Sequence, residues 1–190
     1  MCAEQVQIHQ SPTFLVFCAD LNRDRLAGQL HGVENFDTGY IEALLIATVD
    51  AALVLQNVAL AAESHGLGIC MIGAIRIHPK AVGKLLNLPP LVYAVAGLCL
   101  GFPAIDQQQK PRLPLETILH HEQYTKDDQQ IGQIKEYDQT MVEFYSSQAM
   151  HDKDPRWSKV MAARTARFHE RAELDEYLSD QGFHFKSSTP

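Results

Sequence analysis

Apolar positions along the chain fall into short continuous runs and longer helical patterns, separated by polar stretches. Residues 13–20 (TFLVFCAD) form a nearly unbroken apolar run rich in β-formers, the pattern of a strand covered on both faces. The chain enters this run almost directly from Met1, with no helix expected before it. Residues 22–39 are polar, contain Gly28, Gly32 and Gly39, and read as a loop or irregular helix. Residues 41–65 give the clearest helical pattern, carrying Leu44, Leu45, Val49, Leu53, Val54, Val58, Leu60, Ala61 and Ala62, with Gly66 and Gly68 as a stop. Alanines and leucines cover nearly the whole circumference, which predicts a helix buried on most sides, in part against a partner subunit. Its length would span a bilayer. Glu42, Asp50, Gln56, Asn57 and Glu63 interrupt the apolar run, however, and the charges among them would be costly at bilayer depth.

Residues 68–75 (GICMIGAI) and 91–101 (LVYAVAGLCLG) read as further buried strands. Between them, residues 78–88 predict a short helix with Pro79 in its first turn and Pro89–Pro90 beyond its end. Residues 102–114 form a polar, proline-containing loop, and residues 127–147 and 155–180 predict two amphipathic helices, the second ended by Gly182. Strands alternate with helices, so the expected class is α/β or α+β, in one domain spanning 1–190 with a helix at its centre.

At 190 residues, with 46% hydrophobic and 21% charged side chains, the chain has the make-up of a folded globular domain, not a disordered or fibrous one. The net charge of −7 argues against general attraction to nucleic acid or anionic lipid. Any anionic ligand must therefore be held by a few local cations. Cys18, Cys70 and Cys99 sit within apolar runs and read as buried small hydrophobes, and Cys2 completes the set without any C-x-x-C pair. That usage suits a reducing compartment. With no basic n-region or apolar h-region at the start, it points to a cytoplasmic protein.

The chain lacks a G-x-S-x-G elbow, a P-loop and an H-E-x-x-H motif. Gly66-Leu-Gly68 follows a helix and precedes a strand, the reverse of the dinucleotide-binding order. His120-His121-Glu122 has no second cluster nearby, and no metal is expected. Two features keep two readings each. Ile72-Gly73-Ala74-Ile75 is either a plain strand end or a place where small residues let a flat ligand reach backbone N–H groups. Lys110-Pro111-Arg112 is either a solvated basic loop or an extended segment whose two cations, on the same side, converge on a phosphate.

Taken together, residues 59–75 (ALAAESHGLGICMIGAI), 97–114 (GLCLGFPAIDQQQKPRLP) and His121-Glu-x-Tyr124 resemble the FMN-dependent nitroreductase family. They are most similar to its oxygen-insensitive NADPH nitroreductases and flavin reductases. TFLVFCADLNR, Trp157-Ser158 and the closing Tyr177-Leu178 with Gln181-Gly182 fit the same pattern, so the resemblance runs from about Pro12 onward. It implies an α/β sandwich with a mixed, largely antiparallel sheet, helices on both faces and a long central helix. It further implies a homodimer built on that helix, with FMN at the subunit interface. NAD(P)H would reduce the flavin, which would pass electrons to nitroaromatics, quinones or free flavin in a ping-pong cycle. On this resemblance Met71, Ile72, Gly73, Ala74 and Ile75 line the flavin ring, with backbone N–H groups around Gly73 and Ala74 at its N5/O4 edge. Lys110 and Arg112 hold the FMN phosphate. No acid–base residue is implied.

Three departures qualify the expectation. The family's usual pair of glycines is Gly73-Ala74 here. The arginines expected before Trp-Ser for the 2′-phosphate of NADPH are replaced by His151-Asp-Lys-Asp154-Pro-Arg156, leaving Lys153 or Arg156 as weaker substitutes. The family's opening helix and His-Arg-Ser-x-Arg motif are not in this sequence. This reads as an N-terminally truncated domain, with weak or absent FMN binding expected of the chain as it stands. The competing reading is a non-catalytic remnant, or a dimerisation partner for full-length subunits.

Overall fold

The computed structural model describes residues 2–105, 108–148 and 154–184. The chain divides into two compact units, Met1–Ala104 with Glu170–Pro190, and Ile105–His169.

The first unit is built on three strands, β1 (Thr13–Asp20), β2 (Gly68–Ile72) and β3 (Val92–Gly101), in the order β1-β3-β2, with both pairings antiparallel. The central strand β3 is buried along almost its whole length. The edge strand β1 is mostly half-buried, contrary to the reading of a strand covered on both faces. A neighbour on one side only leaves part of its surface open. The pairing of β1 with β3 slips between Phe17 and Cys18, which face Ala96 and Ala94, so Val95 bulges from the ladder.

Helix α3 (Ile41–Ser64) lies against the sheet through Ala47, Ala51, Leu55, Ala59 and Ala62, one stripe at helical spacing. Small side chains on that stripe let the helix sit close to the strands. Ala47 and Ala51 share a core with Ala19, Leu21, Tyr93, Val95, Tyr177, Leu178 and Phe183. The other side of the sheet holds Ile75, Val82 and Ala94, with Phe14, Val16 and Leu88 packed around them. Within one chain only that stripe of α3 is covered, and the part of the expected burial assigned to a partner subunit stays open. Ile41, Leu45, Ile46, Val49, Leu53, Val54 and Leu60 are all exposed, because this unit supplies a sheet for only one face.

Short helices frame this core. Helix α1 (Val6–Gln10) precedes β1, where none was expected. Helix α2 (Asn22–Leu30) occupies the stretch read as irregular, and the last residue of β1 starts it, Asp20 Oδ1 accepting the Arg23 N–H at 3.1 Å. Strand β2 ends at Ile72, three residues short of the expected end, and Gly73–Arg76 form a 3-10 turn instead. Helix α4 (Pro79–Leu85) is shorter than the apolar pattern suggested.

In the second unit, α5 (Leu115–Ile118) is followed by α6 (Asp127–Ser147) and α7 (Trp157–Thr165). Asp127 and Asp128 sit in the first turn of α6, where the helix dipole favours them. Buried Asp138 on α6 accepts the backbone N–H of Ser158 at 2.8 Å and so caps α7. The single helix expected over 155–180 is broken. α7 stops at Thr165, Phe168–Arg171 form a 3-10 turn, and α8 (Glu173–Asp180) follows as a separate element. The break has a packing reason: Trp157 stacks edge-on against Tyr137 of the second unit, whereas Tyr177 and Leu178 belong to the core of the first.

Candidate functional site

The end of β2 is organised by alternation. Met71 is 46% exposed while Ile72 is buried and anchors the strand. Gly73 and Ala74 are half-buried, and Ile75 returns to the core. N–H groups opening a helical turn have no partner within that turn. Gly73 leaves room above them: a Cβ there would stand 3.4 Å from Arg76 Nη2 and meet no other atom within 4 Å. A flat ring whose edge carries hydrogen-bond acceptors can approach such a backbone closely.

Two arginines flank the same residue. Arg76 Nη1 donates to the carbonyl of Val95, the bulged residue of β3. Arg171 Nη1 donates to the Gly73 carbonyl at 3.4 Å. Sequence reading missed both. Arg76 could have been found, since it closes the run containing Gly73. Arg171 gives no local signal, because only folding brings the segment before α8 to the end of β2. Two guanidinium groups thus stand beside the Gly73 turn.

The second unit holds the other predicted pair. Lys110 and Arg112 are exposed while Pro111 between them turns inward. The Pro111 carbonyl accepts the Tyr137 hydroxyl at 2.9 Å, which fastens the segment to α6. Arg112 Nη1 donates to the Lys110 carbonyl at 3.2 Å, and Lys110 Nζ lies 5.4 Å from the centre of the Tyr145 ring. Both contacts are weak and solvent-facing, so an anion of higher charge density can displace them. The donor set, a planar guanidinium beside an ammonium on a rigid extended segment, fits a phosphate.

Arg156 is engaged differently. Its Nε lies 2.9 Å from Asp154 Oδ1, and Lys159 Nζ lies 3.0 Å from Asp154 Oδ2. Hydrogen bonds from Arg156 and then Lys159 hold the Asp154 carboxyl well below the usual carboxylate range. Lys153, the other expected nucleotide contact, lies outside the described residues. His120 Nδ1 faces the Thr125 hydroxyl at 2.8 Å, and among the described residues no three His, Cys, Asp or Glu side chains are placed to hold a metal ion.

Comparison with known proteins accounts for both units. Residues 4–102 match the nitroreductase family, and residues 110–186 match the C-terminal domain of the same family. The chain is 38% identical over 180 residues to an FMN reductase (NAD(P)H) of Bacillus subtilis, covering 94% of this chain and 72% of that protein. It is also 38% identical over 179 residues to an oxygen-insensitive NADPH nitroreductase of Salmonella typhimurium, covering 94% and 71%. Among solved structures, the hypothetical oxidoreductase YcnD of Bacillus subtilis superposes with a TM-score of 0.90 at 37% identity, covering 95% of this chain and 72% of that one. The NADPH:FMN oxidoreductase of Vibrio harveyi, solved with NAD+, gives 0.78 at 33% identity, covering 92% and 69%. The fold is thus the α/β nitroreductase fold expected from the sequence, and the chain belongs to the nitroreductase family.

Proposed function

We propose that the protein is an FMN-dependent oxidoreductase that takes reducing equivalents from NADPH or NADH and delivers them to nitroaromatics, quinones or free flavin. The observation that carries this reading is the 38% identity to an FMN reductase over 94% of the chain. The reading of a non-catalytic remnant or dimerisation partner is disfavoured by the same likeness, since the relatives are named as reductases and nitroreductases.

When bound, FMN supplies a ring that accepts a hydride and releases two electrons to an acceptor, in alternating half-reactions. The residues of this chain bind and orient it. Met71, Ile72, Gly73, Ala74 and Ile75 provide the ring contact, and the backbone donors at Gly73 and Ala74 favour the reduced, electron-rich ring edge. Lys110 and Arg112 take the phosphate. Arg156 and Lys153 are assigned to the nucleotide donor as its weaker contacts, Arg156 having first to loosen from Asp154. No side chain is required to transfer a proton at the reacting ring. The exposed apolar face of α3 supports a homodimer in which a second copy of the chain covers it. That arrangement also explains why a helix long and apolar enough to cross a membrane belongs here to a folded α/β domain. Residues 1–190 form one nitroreductase-like domain of a cytoplasmic enzyme.

Titrating the purified chain with FMN and then adding NADPH or NADH under anaerobic conditions tests the reading. A bound yellow flavin that bleaches on addition of the nucleotide and recovers with a nitroaromatic or quinone is the expected result. Saturation near one FMN per chain would also retire the expectation of weak binding. A colourless protein that neither retains FMN nor oxidises NAD(P)H overturns the proposal.

A further inference from the structure

Cys70 on β2 and Cys99 on β3 are direct partners in the antiparallel ladder. Partners of this kind point to the same face of the sheet, with Cβ atoms about 4.5–5.5 Å apart. The next residue settles the pair type. Leu100 donates its N–H to Ser11 Oγ at 3.1 Å, and its carbonyl accepts the Ser11 hydroxyl at 2.8 Å, so its amide groups face the β1 edge. Those of Cys99 therefore face β2, which makes Cys70 and Cys99 a hydrogen-bonded pair with Cα atoms about 5.5 Å apart. Disulfides span Cα separations of about 4.4–6.8 Å and Cβ separations of about 3.5–4.5 Å, so the Cα spacing admits the bond while the two Cβ atoms must draw together to close it.

The two thiols are not equivalent. Cys70 is half-buried, and its sulfur accepts only a long hydrogen bond, 3.9 Å, from Gln7 Nε2 of α1. Cys99 is buried, and that burial pushes its thiol above the ordinary value. A half-buried sulfur on the edge strand is thus paired with a buried one on the central strand. All four cysteines are free thiols.

We propose that Cys70 and Cys99 form a thiol–disulfide exchange site for small disulfides, with Cys70 as the entry thiol and Cys99 as the resolving one. The Cys70 thiolate attacks one sulfur of a disulfide such as oxidised glutathione and displaces one glutathione thiolate. The Cys99 thiol then attacks the Cys70 sulfur, and the second glutathione leaves as the thiol, carrying the Cys99 proton with it. Two protein thiols lose two electrons and two protons, and the small disulfide becomes two thiols. The product ties β2 to β3 just ahead of Ile72, on the strand that ends at the Gly73 turn. A disulfide that must draw its Cβ atoms together carries strain and is readily reduced, which suits a reversible modification rather than a structural staple. The proposal does not depend on the flavin reading.

Cys2 is the competing thiol, since it packs on the same side of the sheet beside Phe14. The test incubates the native chain with oxidised glutathione, blocks the remaining thiols and maps the peptides by mass spectrometry. Titratable thiols should fall from four to two. A Cys70–Cys99 linked peptide, lighter by two hydrogens and reversed by dithiothreitol, should appear. In Cys99→Ala the glutathione should instead remain on Cys70 as a stable adduct; if that variant does not fold, the wild-type map alone decides. A Cys2–Cys70 link, a persistent glutathione adduct on wild-type Cys70, or four thiols still titratable after oxidation overturns the proposal.

Discussion

Charged side chains at the two candidate subsites differ in how committed they are. Lys110 and Arg112 make only weak contacts in the free protein, so little is lost when an anion takes them. Removing either should weaken FMN binding about 10- to 100-fold, the range of hydrogen bonds to charged groups. Arg112→Lys should recover only part of the loss, because an ammonium cannot bind two phosphate oxygens in a fork. Fluorescence titration of FMN checks both outcomes. Arg156 is the opposite case, held by Asp154. The folded-state pKa of Asp154 lies below its unfolded value. The pairing is therefore fully present above the ordinary carboxylate range and is lost only as pH falls through the lower folded value, so acidity in the neutral range does not free Arg156. Asp154→Asn should free it. If Arg156 contacts the 2′-phosphate, KM for NADPH falls about two- to fivefold relative to NADH, the scale of an exposed ion pair. An unchanged ratio in steady-state kinetics would remove Arg156 from the nucleotide site.

At the scale of elements, the helices are placed by single contacts that sequence patterns do not display. Helices α4 and α8 meet where Gly83 leaves space for Tyr177. A Cβ at position 83 would lie 2.9 Å from Tyr177 Cζ and closer still to its hydroxyl. Gly83→Ala should cost about 1–3 kcal/mol by overpacking, seen as a lower Tm. The buried Tyr177 hydroxyl has no hydrogen-bond partner among the described residues. Tyr177→Phe should therefore hold or raise Tm, and it should rescue part of the Gly83→Ala loss. Asp138→Ala removes the cap on α7 and should cost about 0.5–2 kcal/mol in thermal or denaturant unfolding. These contacts also show why the run 155–180 misled: one amphipathic pattern served two cores, and only the separate burial of Trp157 and Tyr177 shows where it divides.

For the whole molecule, the decisive feature is the face of α3 turned away from the sheet. Seven large apolar side chains there are exposed in one chain, more than an isolated soluble domain normally leaves open. In a two-fold dimer each substitution on that face acts twice. Leu53→Glu should raise the dimer dissociation constant about a hundredfold or more, since burying each leucine contributes about 1.5–3 kcal/mol. Light scattering coupled to gel filtration would detect the monomer. FMN binding should fall with it if the second copy completes the flavin site.

Residue pattern alone was sufficient for the three strands, the helices at 41–64 and 127–147, and the class of fold. Each rests on local spacing: continuous apolar runs make strands, and a 3.6-residue period makes helices. The Gly73 and Lys110–Arg112 motifs were equally visible, because each lies within a few consecutive residues. Folding decided the rest. It ended β2 early in a 3-10 turn, bulged β3 at Val95, and set Arg76 and Arg171 beside Gly73. It also paired Cys70 with Cys99 and left one face of α3 bare. None of these could be read locally, because each depends on which distant segment arrives as a neighbour, and apolar periodicity records that a face is buried without recording what buries it.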